Sequence, residues 1–192
     1  MKKLALVLSL VLMLMFVGCS SKTTVKETDA FRFDSKTGYA YSTAPFGIDT
    51  TELESAIGSK LTMVSESPAT APFAYTNYSS EDIVQSADCS GKFDAQFDEN
   101  GKLFSVTFHE QLARGTAEEH FEAASKRFTE TFGAPAVQDD NGIGTQYLEW
   151  QDKSSGTALG LTYSDLGTTD PTLMISVFEK SRYVEAGTGD SK

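Results

Sequence analysis

The chain has 192 residues, of which 27 are acidic and 16 are basic, so its formal net charge is −11. Such an acidic surface repels nucleic acid, and we expect no nucleic-acid partner. Hydrophobic residues make up 40% of the chain, which excludes a disordered protein, and the presence of only two cysteines excludes a disulfide framework.

The first 18 residues have the pattern of an export signal. Lys2 and Lys3 precede an apolar run over residues 4–17, which is too short to span a bilayer comfortably. The run ends at Phe16-Val17-Gly18-Cys19. This segment resembles the bacterial lipoprotein signal, in which a peptidase cuts before a lipid-modified cysteine, although Phe16 replaces the usual Leu.

This resemblance implies a cellular location for the protein. Residues 1–18 would be removed, which changes the net charge from −11 to −13 because Lys2 and Lys3 are lost with no acidic residue. Two or three acyl chains on Cys19, palmitate among them, would attach the protein to the extracytoplasmic face of the cell membrane, or to the outer membrane if the source has one. The polar residues 19–30 are then expected to form a flexible tether.

The region from residue 31 to residue 78 predicts a small hairpin or an edge strand, then a helix and a strand. Phe31 and Phe33 alternate with polar residues, as do Tyr39 and Tyr41, and turn-forming residues separate the two pairs. Asp49 and Glu52 have the spacing of a capping box, which predicts a short helix that ends near Gly58. The aromatic segment 73–78 is typical of a strand.

A second hairpin is predicted over residues 93–108. Apolar residues alternate with polar ones on both sides of Asn100-Gly101, a sequence that favours a two-residue type I′ turn. This turn would pair Phe97 with Phe104 and Phe93 with Phe108, with all the apolar residues on one face, and would place Glu99 opposite Lys102.

A longer helix and three strands complete the predicted elements. Thr116 and Glu119 form a second capping-box pattern, and apolar residues follow at steps of three and four until Gly133-Ala134-Pro135. Strands are predicted over residues 146–150, 157–163 and 173–178.

The predicted order is helix, three strands, helix, three strands, after a short β segment. We therefore predict an α+β fold of two α-β-β-β half-modules, an antiparallel sheet covered by two helices, in a single domain over residues 31–183. The halves would span about 45–112 and 115–180, and residues 184–192 would form a disordered tail. The element order, with the segments FGAP…YLEW and FDENGKL, resembles the tandem modules of the β-lactamase-inhibitor protein and of small outer-membrane-assembly lipoproteins.

Catalytic and metal-binding patterns are weak. His109 could meet Cys89 across the sheet as a thiol–imidazole pair, whereas His120 is expected on a solvated helix face. The acidic segments 98–101 and 138–142 are better interpreted as turns than as calcium sites, because their acids are adjacent and no bidentate Glu follows. We expect no metal and no cofactor.

Five aromatic residues form a candidate binding surface, although they would fit half-buried strands equally well: Tyr39, Tyr41, Tyr75, Tyr78 and Trp150. The sequence therefore predicts a lipid-anchored, non-enzymatic binding or structural module whose partner is an envelope or extracellular protein or a small ligand. The alternative is an envelope thiol hydrolase that uses Cys89 and His109.

Overall fold

The computed structural model describes residues 23–67, 74–87, 89–112, 116–142, 144–167 and 170–182. The predicted signal segment, the lipidation site Cys19 and the tail over 184–192 lie outside these residues. The described chain is mostly antiparallel β-sheet with two helices, so its fold is a β-rich α+β fold. Within the described ranges, no helix is long and apolar enough to cross a membrane.

Twelve strands and two helices are described. The helices are α1 (Thr50–Ile57) and α2 (Ala117–Phe132). The strands are β1 (Val25–Glu27), β2 (Phe31–Asp34), β3 (Gly38–Tyr41), β4 (Leu61–Glu66), β5 (Tyr75–Ser80), β6 (Val84–Gln85), β7 (Ser90–Asp98), β8 (Leu103–Gln111), β9 (Val137–Asp140), β10 (Thr145–Asp152), β11 (Thr157–Ser164) and β12 (Thr172–Glu179). A small sheet has the order β1-β2-β3, and a large sheet has the order β4-β5-β7-β8-β12-β11-β10-β9, with β6 paired to β7.

Three of the large-sheet strands, β4, β6 and β9, were not predicted from the sequence. Segment 138–142 was interpreted as a turn, but residues 137–140 form β9 and pair with β10. Each helix is therefore followed by four strands along the order of the long sheet rather than three, with β6 as an additional short strand after α1. Of the missed strands, β4 and β9 lie at the two edges of the sheet, and β6 is a two-residue strand beside β7.

The small sheet belongs to the folded body. The predicted hairpin is confirmed, since Phe31 pairs with Tyr41 and Phe33 with Tyr39. The tether predicted over residues 19–30 is too long, because residues 25–27 form β1, which pairs with β2 and contacts α2. β3 pairs with only one edge of β2, and residues 25–27 pair with the other edge.

The two helices begin differently. The capping box of α1 is confirmed: the Glu52 N–H donates to the Asp49 carboxylate, and the Asp49 N–H donates to the Glu52 carboxylate, both at 3.0 Å. The second capping box does not form, because the Thr116 side chain makes no cap hydrogen bond. The buried face of α2 is nevertheless the predicted one: Ala117, Phe121, Ala124, Phe128 and Phe132.

The β7–β8 hairpin differs from its prediction near the turn. Gly101 has a positive φ of 69°, but no described non-glycine residue has one, so Asn100 cannot take the type I′ conformation. Asp98, not Glu99, faces Lys102 across a three-residue loop, and its backbone N–H donates to the Lys102 carbonyl at 2.9 Å. A β-bulge then absorbs the extra residue, so that Phe97 faces Leu103 while Phe93 still faces Phe108.

The core is a continuous aromatic cluster between the two sheets and α2. Phe128 of α2 lies edge-to-face against Phe31 of the small sheet (5.6 Å between ring centroids) and against Trp150 of the large sheet (5.7 Å). Burying an aromatic ring of this kind stabilises a domain by roughly 1.5–3 kcal/mol. These three rings, all at most 1% exposed, hold the three elements together.

Tyr39 provides a test of this core in alkaline solution. Its ring packs on Phe33 and Phe132, and burial, reinforced by Asp152, raises the pKa of Tyr39 to about 12. An unfolded tyrosine titrates near pH 10. The stabilisation is therefore complete below about pH 10 and is lost as the pH rises through about 12.

We expect the wild-type protein to lose free energy of unfolding more steeply than Tyr39→Phe between pH 10 and pH 12, in denaturant titrations at each pH. Burial also raises the pKa of Tyr41, but Tyr41 is present in both proteins, so the difference isolates Tyr39. Equal slopes for the two proteins would contradict the assignment.

Candidate functional site

An organised polar surface lies on the side of the large sheet that faces away from α2, which we call the polar face. Trp150 and Tyr163 point to the other side and contact α2. At the centre of the polar face, strands β4, β5, β7, β8, β12 and β11 line an open depression of about 450 Å³, which we call the trough. This volume lies in the range of ligand pockets, roughly 300–1,000 Å³.

Alternation along the strands places the trough side chains. In β7, the buried residues Phe93, Ala95 and Phe97 alternate with Asp94 and Gln96, which point to the polar face. In β12, Ser176 lies between the buried residues Ile175 and Val177. The same alternation that builds the core therefore builds the trough.

Strand register arranges these side chains in rows across the sheet. Ser79 faces Asp94, Asp94 faces Thr107, and Thr107 faces Ser176, so one row crosses four strands. Asn77 faces Gln96, and Gln96 faces Ser105, which gives a second row parallel to the first. The trough is thus a ladder of short polar side chains.

Hydrogen bonds hold these rows in place. The side-chain amide of Gln96 donates from Nε2 to Asn77 Oδ1 at 3.0 Å. The side-chain amide of Asn77 donates from Nδ2 to the Ser65 hydroxyl at 2.8 Å. The Thr107 and Ser176 hydroxyls are bonded to each other at 3.0 Å. The network orients the polar groups before any ligand binds, which lowers the entropic cost of binding.

Asp94 and His109 are hydrogen-bonded to each other in the trough. His109 Nε2 lies 3.0 Å from Asp94 Oδ2, and the side chains are 41% and 42% exposed. The largest influence on the pKa of Asp94 is burial, which raises it, but hydrogen bonds from His109 and Ser79 outweigh burial and hold the pKa below its usual range. Asp94 therefore stays ionised, and the imidazole bonds to it rather than to a hydroxyl nucleophile.

The five aromatic residues of the candidate binding surface do not come together. Tyr39, Tyr41 and Trp150 are at most 7% exposed and belong to the core, where the Trp150 indole donates to the Gly133 carbonyl at 2.7 Å. Tyr39 and Tyr41 belong to β3, where Tyr39 packs on α2 and Tyr41 packs on the large sheet, and Trp150 is covered by α2. Tyr78 borders the trough, but its ring packs on Phe97 on the core side. Tyr75 is half-buried at the β5 side of the trough, edge-on to Phe104.

Cys89 and His109 are not brought together. Cys89 is 6% exposed within the core cluster and lines a separate cavity of about 290 Å³, whereas His109 lies in the trough. The imidazole in the Cys89 cavity is His120, whose Nδ1 lies 3.8 Å from Glu110 Oε1. His109 points away from Cys89 because it alternates with Phe108, which faces the core.

Because Cys89 is buried, we expect its thiol to react slowly in the native protein. In a Cys19→Ser protein, Cys89 is the only thiol, and we expect a thiol reagent at pH 7 to label it slowly in the native state and completely after denaturation. Absorbance of the released chromophore measures both rates. Rapid native labelling would instead show an accessible, activated thiolate.

The carboxylates of the two acidic segments accept hydrogen bonds from nearby backbone N–H groups. Asp98 accepts hydrogen bonds from the N–H groups of Asn100 and Lys102, both at 2.9 Å, and pairs with Arg182 at 2.5 Å. Asp140 accepts one from the Gly142 N–H at 2.9 Å. Across the described ranges, no three His, Cys, Asp or Glu side chains are grouped so that they could hold a metal ion.

Comparison of the chain with protein-family models, with curated proteins and with solved structures finds no match. The resemblances to the lipoprotein signal and to tandem-module proteins therefore stay predictions from the sequence. The trough was not foreseen, because its residues come from six strands whose order is not encoded in any local pattern.

Proposed function

We propose that this protein is a non-enzymatic binding module, anchored by lipid on Cys19 to the extracytoplasmic face of a membrane, and that the trough holds its ligand. The observation that carries the proposal is the ladder of short, hydrogen-bonded polar side chains across the centre of the large sheet.

A merely solvated sheet face is usually covered by long charged side chains, which spread over the surface and fill any depression. Here the central rows carry Ser, Thr, Asn and Gln, with Asp94 as their charged residue. Lys92 starts on the polar face, but its ammonium group donates to the carbonyls of Ser80 and Glu81. The trough consequently stays open.

The proposal also covers how the chain is built. We propose that the body consists of two half-modules, each a helix followed by strands that it covers. The strand order supports this: β4-β5-β7-β8 runs inward from one edge, β9-β10-β11-β12 runs inward from the other, and the last strands of the two halves pair at the centre. The trough then lies across the joint between the halves.

The test uses the mature chain from residue 19 with Cys19→Ser, incubated with envelope extract and recovered under native conditions. Ser176→Arg places a long side chain in the trough and should remove whatever ligand the parent protein retains, as read by mass spectrometry. Ser164→Arg is the matched control, because Ser164 is half-buried near the end of β11 and does not line the trough. Circular dichroism verifies that both variants fold.

Loss of the ligand from Ser176→Arg alone would support the proposal. An identical set of retained molecules in all three proteins, or none in any of them, would contradict it.

A further inference from the structure

The chemistry of the trough points to one class of ligand, and this inference rests on the function proposed above. We infer that the trough binds a neutral, polyhydroxylated chain, that is, an uncharged oligosaccharide. Four observations carry the inference: the kind of polar groups, their remaining hydrogen-bond capacity, the charge balance and the shape of the trough.

The polar groups are almost all neutral, and they both donate and accept hydrogen bonds. Two amides, Asn77 and Gln96, lie among six hydroxyl side chains: Ser65, Ser79, Ser105, Thr107, Thr162 and Ser176. Sugar hydroxyls are also both donors and acceptors, so they match such groups in either direction.

The internal network leaves capacity for a ligand. Each amide carries two N–H donors and a carbonyl acceptor. The hydrogen bonds from Gln96 to Asn77 and from Asn77 to Ser65 use one N–H of each amide and the Asn77 carbonyl, so each amide keeps a second N–H. A ligand hydroxyl can be bound by these groups without breaking the network.

The charges argue against an ionic ligand. Asp94 is ionised and disfavours an anion, as does the net charge of the chain, −11. A cation would have to displace His109 from Asp94, to which it is bonded at 3.0 Å. A neutral ligand is not repelled by Asp94 and does not have to displace His109.

The trough is elongated, and one side is aromatic. It extends from Val64 and Ser65 on β4 to Thr162 on β11, which spans five strand spacings, roughly 24 Å at about 4.8 Å each. This length suits a chain of rings rather than a single ring. Tyr75 offers a half-buried ring on which the apolar face of a sugar can pack.

The experiment titrates the mature Cys19→Ser protein with neutral tetrasaccharides, namely cellotetraose, maltotetraose and N-acetylchitotetraose, and with the anionic tetragalacturonate. Amide chemical shifts measured by NMR report the site. We expect at least one neutral tetrasaccharide to shift residues of β5, β7, β8 and β12, with tetragalacturonate at least tenfold weaker.

Two amide variants localise the effect. Gln96→Ala should weaken the binding of the neutral sugar up to about tenfold, the size of one hydrogen bond of up to about 1.5 kcal/mol. Gln138→Ala is the matched control, since Gln138 is exposed on β9 and lies outside the trough, and it should bind as the parent does.

The failure of this inference can be distinguished from failure of the proposed function. If no neutral sugar binds while Ser176→Arg still loses a retained envelope molecule, the trough is a binding site for another class, such as a peptide, and the inference is overturned. Sugar binding that neither Gln96→Ala nor Ser176→Arg weakens would overturn it as well, because the sugar would then lie elsewhere.

Discussion

Exchange of Cys19 for serine is expected to release the protein completely from the membrane fraction. Serine has no thiol, so it cannot receive the lipid that the resemblance to the lipoprotein signal implies for Cys19. Each buried methylene contributes about 0.8 kcal/mol, and two or more chains are needed for stable attachment, so their loss leaves no strong membrane affinity. Detergent-phase partitioning of the expressed protein measures the effect.

The chain provides a matched control in its second cysteine. Cys89→Ala removes a thiol that is buried in the core, so the variant should still partition into detergent while it loses about 1 kcal/mol of stability. Partitioning of Cys19→Ser equal to that of the wild type would show that the lipoprotein signal is misread.

Large and separable losses of stability are expected for Phe97→Ala and Phe104→Ala, about 3–5 kcal/mol each, because both side chains are 1% exposed. The sequence paired these two residues on one face, which would make their costs interdependent. The bulge instead places Phe97 in the core against Tyr78, and Phe104 on the polar face beside Tyr75 and beneath the Arg182 guanidinium. Their effects should therefore add within about 0.5 kcal/mol.

Two such losses could exceed the whole stability of a domain, so the double-mutant cycle is better made with leucine. Phe93 and Phe108 provide the reference cycle, because their rings touch edge-to-face with centroids 5.0 Å apart. That pair should show a coupling of roughly 0.5–1.5 kcal/mol in denaturant unfolding. Coupling of the same size between Phe97 and Phe104 would contradict the bulge and support the register predicted from the sequence, in which Phe97 faces Phe104.

This hairpin shows how far local patterns determine structure. Alternation correctly predicted that Phe93 faces Phe108, because burial fixes the face on which both residues lie. Asn-Gly is compatible with a two-residue turn and with a three-residue loop followed by a bulge. The choice depends on Asp98, whose carboxylate accepts two backbone N–H groups of the loop, and the two-residue turn template does not represent that contact.

Edge strands were missed for a related reason. β4 and β9 each pair on one side only, and their residues are mostly exposed, so burial imposes little apolar alternation on them. Helix α2 is the opposite case. Its five buried residues were all predicted, because one face of the helix lies against the core for its whole length.

The candidate site was predictable only in part. That Tyr75 and His109 would lie on strands follows from their neighbours in the sequence. That β8 lies beside β12, and so brings Thr107 to Ser176, is a contact between residues 69 positions apart. Long-range strand pairing of this kind is decided by packing of the whole domain, and a single sequence does not display it.

The position of β1 near the start of the described chain limits how far the folded body can lie from a lipid anchor on Cys19. The strand β1 begins at Val25 and is held against β2 and α2. On the proposed anchor, six residue steps separate Val25 from the acylated Cys19, and an extended chain covers at most about 3.3–3.6 Å per step, which gives roughly 20 Å. A free segment to residue 30 would have given roughly 38 Å. If Cys19 is anchored as proposed, the folded body would stay within roughly 20 Å of the lipid surface, and a ligand of the trough would have to approach the membrane to be bound.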